Sequence, residues 1–325
     1  MVLRWLIRIV VALAVLAAVA FAAFKLSPWP SVLVIRHTFD ADSAIRNAAL
    51  AKFKPAGVTK FADLFYGSGT FDVFVPESPG PHPVVFWIHG GAFIAGQKED
   101  IAPYLEILAS KGFVTVGIGY TTAPSAQYPG PVRQVNEAIA HILANSGEYR
   151  IDPSRAFLAG DSAGGQLAAQ IAAIATGPAY AAAVGIKPAL NPQQLRGVLL
   201  NCGIYDPSKI NMAGAFGGFI RTVLWSYFGE SDPAKIEKFD EFNVSRHLTP
   251  AFPPAFATVG NGDPLAPQTV LMANAIRAQG VSVDELYFAD DYKPALPHEY
   301  QFNLETEAAQ TALTRIVAFL QARSL

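Results

Sequence analysis

The stretch AFLAGDSAGGQLAA, residues 156–169, decides the reading of this chain. An apolar run leads into Gly160-Asp161-Ser162-Ala163-Gly164-Gly165, and a run of small residues follows. Glycine carries a large entropic cost inside regular structure, so such a cluster marks either a very sharp turn or a close approach to the backbone. The pattern is G-x-S-x-G at a strand–turn–helix junction, where a tight turn lifts the serine hydroxyl clear of the sheet. The helix that begins there aims free N–H groups at the same place. A hydroxyl so placed can form an acyl-enzyme once a base takes its proton. Two phosphate-binding patterns fail: Gln166 and Leu167 stand where a P-loop needs lysine and Ser/Thr, and Ser162 occupies the second glycine position of a dinucleotide fingerprint.

Outward from this turn the chain alternates. Short β-branched and aromatic runs at 71–75, 84–88, 114–118, 156–159, 198–201, 256–259 and 286–288 read as strands. Amphipathic runs at 102–111, 132–145, 166–175, 268–279 and 306–322 read as helices. That alternation predicts an α/β fold with a mostly parallel sheet covered on both faces. Ligands of such sheets sit beyond the carboxyl ends of the strands. Residues 30–60 read as a linker of irregular and helical pieces, and 61–325 as the main domain. The alternation lapses between 205 and 254, a segment too long for a simple connection and read as an inserted cap. Its Phe216, Phe219 and Trp225, with Phe93, are candidates for the wall of an apolar pocket.

The loop after the 84–88 strand is His89-Gly90-Gly91-Ala92-Phe93. Its paired glycines leave backbone amides unshielded. Gly90 and Gly91, with Ala163, are the candidate donors to an oxygen that turns negative in a tetrahedral intermediate. His89 reads as a brace for the loop.

Composition narrows the class. The 325 residues are 51% hydrophobic and 15% charged, with a formal net charge of −2 and no basic block, which argues against a nucleic-acid partner. One cysteine, Cys202, excludes a disulfide framework and a thiol-rich zinc site; no metal and no cofactor is expected. Residues 1–29 form a unit of their own. Arg4 and Arg8 precede an uncharged run from Ile9 to Phe24, and Lys25 follows. This predicts a membrane anchor with the remainder of the chain on the non-cytoplasmic side. A signal segment cleaved after 18–20 or 20–22 is the alternative, leaving a secreted protein.

GDSAGG at 160–165, preceded by HGGAF at 89–93, resembles the hormone-sensitive-lipase-like branch of the α/β-hydrolase esterases. The similarity runs from about residue 66 to the C-terminus and is firmest between 84 and 175. The resemblance implies an α/β-hydrolase fold and a Ser…Asp/Glu…His order. Asp263, in GNGDPL after the next-to-last strand, fills the acid position, ahead of Asp206, Asp290 and Asp291. His298, the sole histidine after it, fills the base position. His89, Gly160, Asp161 and Gly164 support the motifs. Glu299 and Tyr300 depart from the small residue and aromatic that usually follow this histidine. The function implied is hydrolysis of short- to medium-chain acyl esters. Aryl formamide or peptide hydrolysis by the same triad is an alternative, and a non-catalytic binding protein a further one.

Overall fold

A computed structural model describes residues 2–210, 212–214 and 216–325. It opens with two helices, α1 (Val2–Leu26) and α2 (Trp29–Leu50), separated by Ser27-Pro28. The sheet strands follow as β1 (Val58–Phe65), β2 (Thr70–Pro76), β3 (His82–Ile88), β4 (Val114–Ile118), β5 (Ile151–Asp161), β6 (Leu195–Asn201), β7 (Ala255–Thr258) and β8 (Val283–Leu286). Between them run α3 (Ala102–Ala109), α4 (Gly130–Ala144), α5 (Ala163–Thr176), α6 (Pro178–Val184), α7 (Gly217–Phe228), α8 (Phe239–Phe242) and α9 (Ala266–Ala278); α10 (Glu307–Arg323) closes the chain.

The eight strands form one sheet in the order β1-β2-β4-β3-β5-β6-β7-β8. β1 and β2 pair antiparallel, β2 joins β4 antiparallel, and every pairing from β4 to β8 is parallel. The central strands are buried along almost their whole length, as a sheet covered on both faces requires. One apolar cluster lies against α4 and α5, and a second, around Trp87, Tyr104 and Phe302, lies against α3 and α10. Every residue of α5 is buried, and its alanines and glycines let it lie close on the sheet.

The structure departs from the pattern reading in four places. β1 was not expected as a strand, and only its first three residues fall in the expected linker; it lies at the sheet edge with most side chains exposed, so no burial pattern marks it. Residues 29–50 form one continuous helix that buries only Val32, Ser43 and Leu50, too few to give a helical period. The last strand ends at Leu286 instead of spanning 286–288. Its Asp284 and Glu285 pair with Arg315 and Arg277, and this charged edge reads as loop. The short α6 also went unread. Residues 205–254 fall between β6 and β7 and carry α7 and α8; Asn211 and Ala215 of that stretch, like Met1, lie outside the described residues.

α1 is long and apolar enough to cross a membrane, with mean hydropathy 2.7 over its best window and none of it buried.

Candidate active site

Ser162 sits between β5 and α5 with φ 51° and ψ −120°, a backbone conformation that costs a non-glycine residue about 1–3 kcal/mol. The neighbours hold it there. Ser162 N–H donates to Asn201 O of β6 (2.8 Å), and the Asn201 side chain donates to Gly160 O (3.1 Å). A Cβ on Gly164 would lie 2.0 Å from Ile88 O, so only glycine lets α5 start this close to the end of β3. The sheet order that places β3 beside β5 thus brings the HGG loop against the serine turn.

Asp161 links these two loops. It is 2% exposed and accepts from Trp87 Nε1 (2.7 Å) and from Gly90 N–H (2.8 Å). Gly90 therefore spends its amide on Asp161. Gly91 (φ 105°) and Ala92 (φ 53°) follow, and their N–H groups meet no acceptor among the described residues. A Cβ on Gly91 would stand 2.1 Å from Ala95 O, so the loop closes on itself only with glycine there. Ala163 contributes the first amide of α5, which has no partner within its helix. Ala92 is a donor that the sequence reading did not single out, and Gly90 is a candidate whose amide is already engaged.

His89 is buried and stacks on Tyr120, with centroids 4.2 Å apart and planes 7° apart, and its Nδ1 lies 2.8 Å from Gly90 O. Burial pushes its pKa down to about 4, outweighing the hydrogen bond to Gly90 O, so the ring is neutral and acts as a brace.

The acid and base positions meet. Asp263, 5% exposed, follows β7, and His298 lies in the loop beyond β8. His298 Nδ1 is 2.7 Å from Asp263 Oδ2, while Asp263 Oδ1 accepts from Leu265 N–H at 2.7 Å. The histidine loop is stitched to the aspartate loop by Asn261. Its side chain donates to Ala289 O and Tyr292 O (both 3.1 Å) and accepts from Leu296 N–H (2.8 Å). Tyr300 anchors the other end: its hydroxyl is 2.6 Å from Thr258 Oγ1 of β7. Nothing in the sequence pattern flagged Asn261. The signal available was its place two residues before Asp263.

The imidazole feels opposing influences. Burial disfavours its charged form, whereas the Asp263 hydrogen bond and the nearby Glu299 charge favour it. Cys202 also lies beside the ring, but burial raises its thiol pKa, so at neutral pH it carries no charge with which to assist.

Ser162 and His298 line one cavity of about 270 Å³. Its remaining wall is almost wholly apolar: Phe39 from α2, Ala92 and Phe93, Ile204, Leu265, and Phe216, Phe219, Ile220 and Val223 at the start of α7. The last four recur at the i, i+3, i+4, i+7 spacing of one helical face. Trp225, expected on this wall, is absent from it. It stands nine residues beyond Phe216, half a turn round the helix from that face.

A family model described as the alpha/beta hydrolase fold matches residues 85–292. The chain belongs to the α/β-hydrolase family. Among solved structures the fold is similar to esterase B of Lactobacillus rhamnosis, with TM-score 0.78 and 21% identity over 91% of this chain and 96% of that one. It is also similar to an esterase of Pyrobaculum calidifontis (TM-score 0.72, 21% identity, 90% and 93% covered). A bacterial heroin esterase gives TM-score 0.70 at 24% identity, with 89% and 91% covered. In this family the G-x-S-x-G turn is the site of the nucleophile.

Proposed function

We propose that this α/β-hydrolase is a serine carboxylesterase of the hormone-sensitive-lipase-like branch, acting on esters of short- to medium-chain acids. One observation carries the reading: an imidazole bonded to a buried carboxylate at 2.7 Å shares an apolar cavity with a serine on a strained strand–helix turn. The esterases that the fold resembles support it.

The chemistry follows from the arrangement. His298 donates Nδ1–H to Asp263, which leaves Nε2 free to accept the Ser162 proton. Ser162 Oγ attacks the ester carbonyl, and the amides of Gly91 and Ala163, with Ala92, hold the developing oxyanion. Each such donor is worth about 3 kcal/mol in the transition state. His298 passes the proton to the departing alcohol, and water repeats the sequence to free the acid. The acyl chain occupies the cavity lined by Phe93 and the α7 face, so α7 within 205–254 serves as the cap. A cavity of about 270 Å³ limits the acyl length.

α1 anchors the enzyme. Arg4 and Arg8 precede the apolar run and Lys25 alone follows, which puts the catalytic domain on the non-cytoplasmic side. Resistance of the full chain to alkaline extraction, together with protease sensitivity on the outer face, checks this placement.

The test of the activity is hydrolysis of p-nitrophenyl esters from acetate to palmitate by the full chain in detergent, compared with Ser162→Ala. The reading expects a rate maximum below about ten acyl carbons and loss of turnover in the variant. Equal rates for the two proteins would refute it.

A further inference from the structure

Helix α2 carries its polarity inside out. A helix on a protein surface normally turns its apolar face inward and its charges to water. α2 buries only Val32, Ser43 and Leu50, and it sends both of its arginines into the domain. Arg36 donates to Ile94 O (2.7 Å) and to Thr122 Oγ1 and Ala123 O (both 3.0 Å), and Arg46 donates to Glu299 Oε2 (2.7 Å). The outward side is left apolar. At about 100° per residue, Val34, Thr38, Ala41, Ile45 and Ala48 fall within about 40° of one line along the helix. All five are exposed, Val34 by 59% and Ile45 by 71%. His37 borders this stripe, and Asp42 and Asp40 flank it on opposite sides at about 80° and 120°. No lysine or arginine lies on it.

We propose that this stripe rests on a lipid bilayer, so that α2 lies along the membrane surface and the active site opens onto it. The enzyme then takes its esters from the lipid phase. This rests on the esterase reading and on α1 as an anchor, and adds the source of the substrate.

Continuity with α1 comes first. α1 buries none of its residues, and only Ser27 and Pro28 separate it from α2. Pro28 has no N–H to continue the helical ladder, so the chain can turn there out of the line of the anchor. Trp29, 40% exposed, stands four residues beyond Lys25, the placing of an aromatic at a membrane–water boundary. A helix that leaves an anchor at this point with an uncharged outward face has that face where the bilayer surface is. The flanking aspartates and the lack of basic side chains make the contact apolar, with no need of anionic lipid.

The place of the site comes second. Phe39 lines both the apolar cavity that holds Ser162 and a second cavity, of about 510 Å³, that borders His298. Ile45 belongs to the wall of the second cavity and, being largely exposed, carries that cavity out to the stripe. Phe39 lies ten residues beyond Trp29. At 1.5 Å per residue that is about 15 Å, so the site stands close to where α1 leaves the membrane. The two arginines fix α2 to the loops of the site: Arg36 to Ile94, just beyond Gly91 and Ala92, and Arg46 to Glu299, next to His298. Seating α2 on the bilayer therefore orients the site as well.

The experiment places the full chain in phosphatidylcholine vesicles. A nitroxide on Ala41→Cys reports its surroundings through its accessibility to oxygen, which concentrates in lipid, and to a water-soluble nickel chelate. We expect oxygen to dominate at 41 and the chelate to dominate at Lys111→Cys, an exposed position just before β4 at the opposite end of the sheet. Cys202 is 1% exposed, and the wild-type chain is the control for its labelling. The second arm compares hexadecyl butyrate, which resides in the bilayer, with ethyl butyrate, which dissolves in water. The double variant Val34→Glu/Ala41→Glu should lower the hexadecyl-to-ethyl rate ratio at least fivefold, a readout independent of how much folded enzyme it yields. Dominance of the chelate at 41, or an unchanged ratio, would overturn the proposal. A second copy of the chain on the stripe would shield the label from both reagents and would equally overturn it. Release of the full chain from the vesicles at alkaline pH would bring down the anchor reading and this one together. With 41 in lipid and neither ester turned over, the esterase reading and the substrate fall while the docking stands.

Discussion

The two halves of the proposed catalytic site are built by different means. The nucleophile half, from β3 and β5, is assembled from backbone. Glycines at 91 and 164 let chain segments approach where any Cβ would collide, and the main-chain amides of Gly91 and Ala92 meet no acceptor among the described residues. The acid–base half, from the loops after β7 and β8, is assembled from side chains. Asn261, Tyr300, Asp263 and the Arg46–Glu299 pair hold its loops through hydrogen bonds to distant partners. A backbone device is intolerant of change, because steric overlap leaves no partial state. A side-chain network loosens by degrees.

This contrast orders the expected effects of substitution. Asp263→Asn should have the largest, since it removes the acceptor that fixes the His298 tautomer: kcat falls by about 10⁴ while the far-ultraviolet circular dichroism is unchanged. Gly164→Ala comes next. A methyl 2.0 Å from Ile88 O cannot be absorbed by rotamer changes, so the β3–α5 contact must open. The expected cost is about 3 kcal/mol, read as a melting temperature about 6–12 °C lower, with activity lost in step. Similar stability in both proteins would erase the distinction between the halves. Asn261→Ala should be milder. It removes several hydrogen bonds from a partly exposed loop at about 1 kcal/mol each, giving about a tenfold lower kcat with little change in fold.

The smallest effect is on pH dependence. The base acts only when neutral, so the acid limb of kcat/KM tracks the His298 pKa. Glu299 favours the imidazolium; replacing it with glutamine removes that charge and lowers the pKa. The acid limb of Glu299→Gln should therefore move toward lower pH. A shift in the opposite direction would mean that the Glu299 charge does not govern the ring.

The same contrast explains what the sequence made legible. Glycine spacing is written locally, so the turn at Ser162, the HGG loop and the strands that carry them can be read directly. Asp263 and His298 are legible only by their place after the last two strands, because their bond spans 35 residues. Arg46, 253 residues from the Glu299 it pairs with, sits on a helix with almost no burial pattern, and no local feature announces it. The engagement of Gly90 by Asp161 was hidden for the same reason: it needs the pairing of β3 with β5 to appear.

The central claim is that Ser162 is a nucleophile activated by His298. Mass spectrometry of the full chain after exposure to a fluorophosphonate tests it most directly. The account predicts a single adduct on the peptide containing Ser162, absent from Ser162→Ala and formed far more slowly by His298→Ala. An unmodified Ser162 in the native protein, or labelling at an undiminished rate without the imidazole, would contradict it.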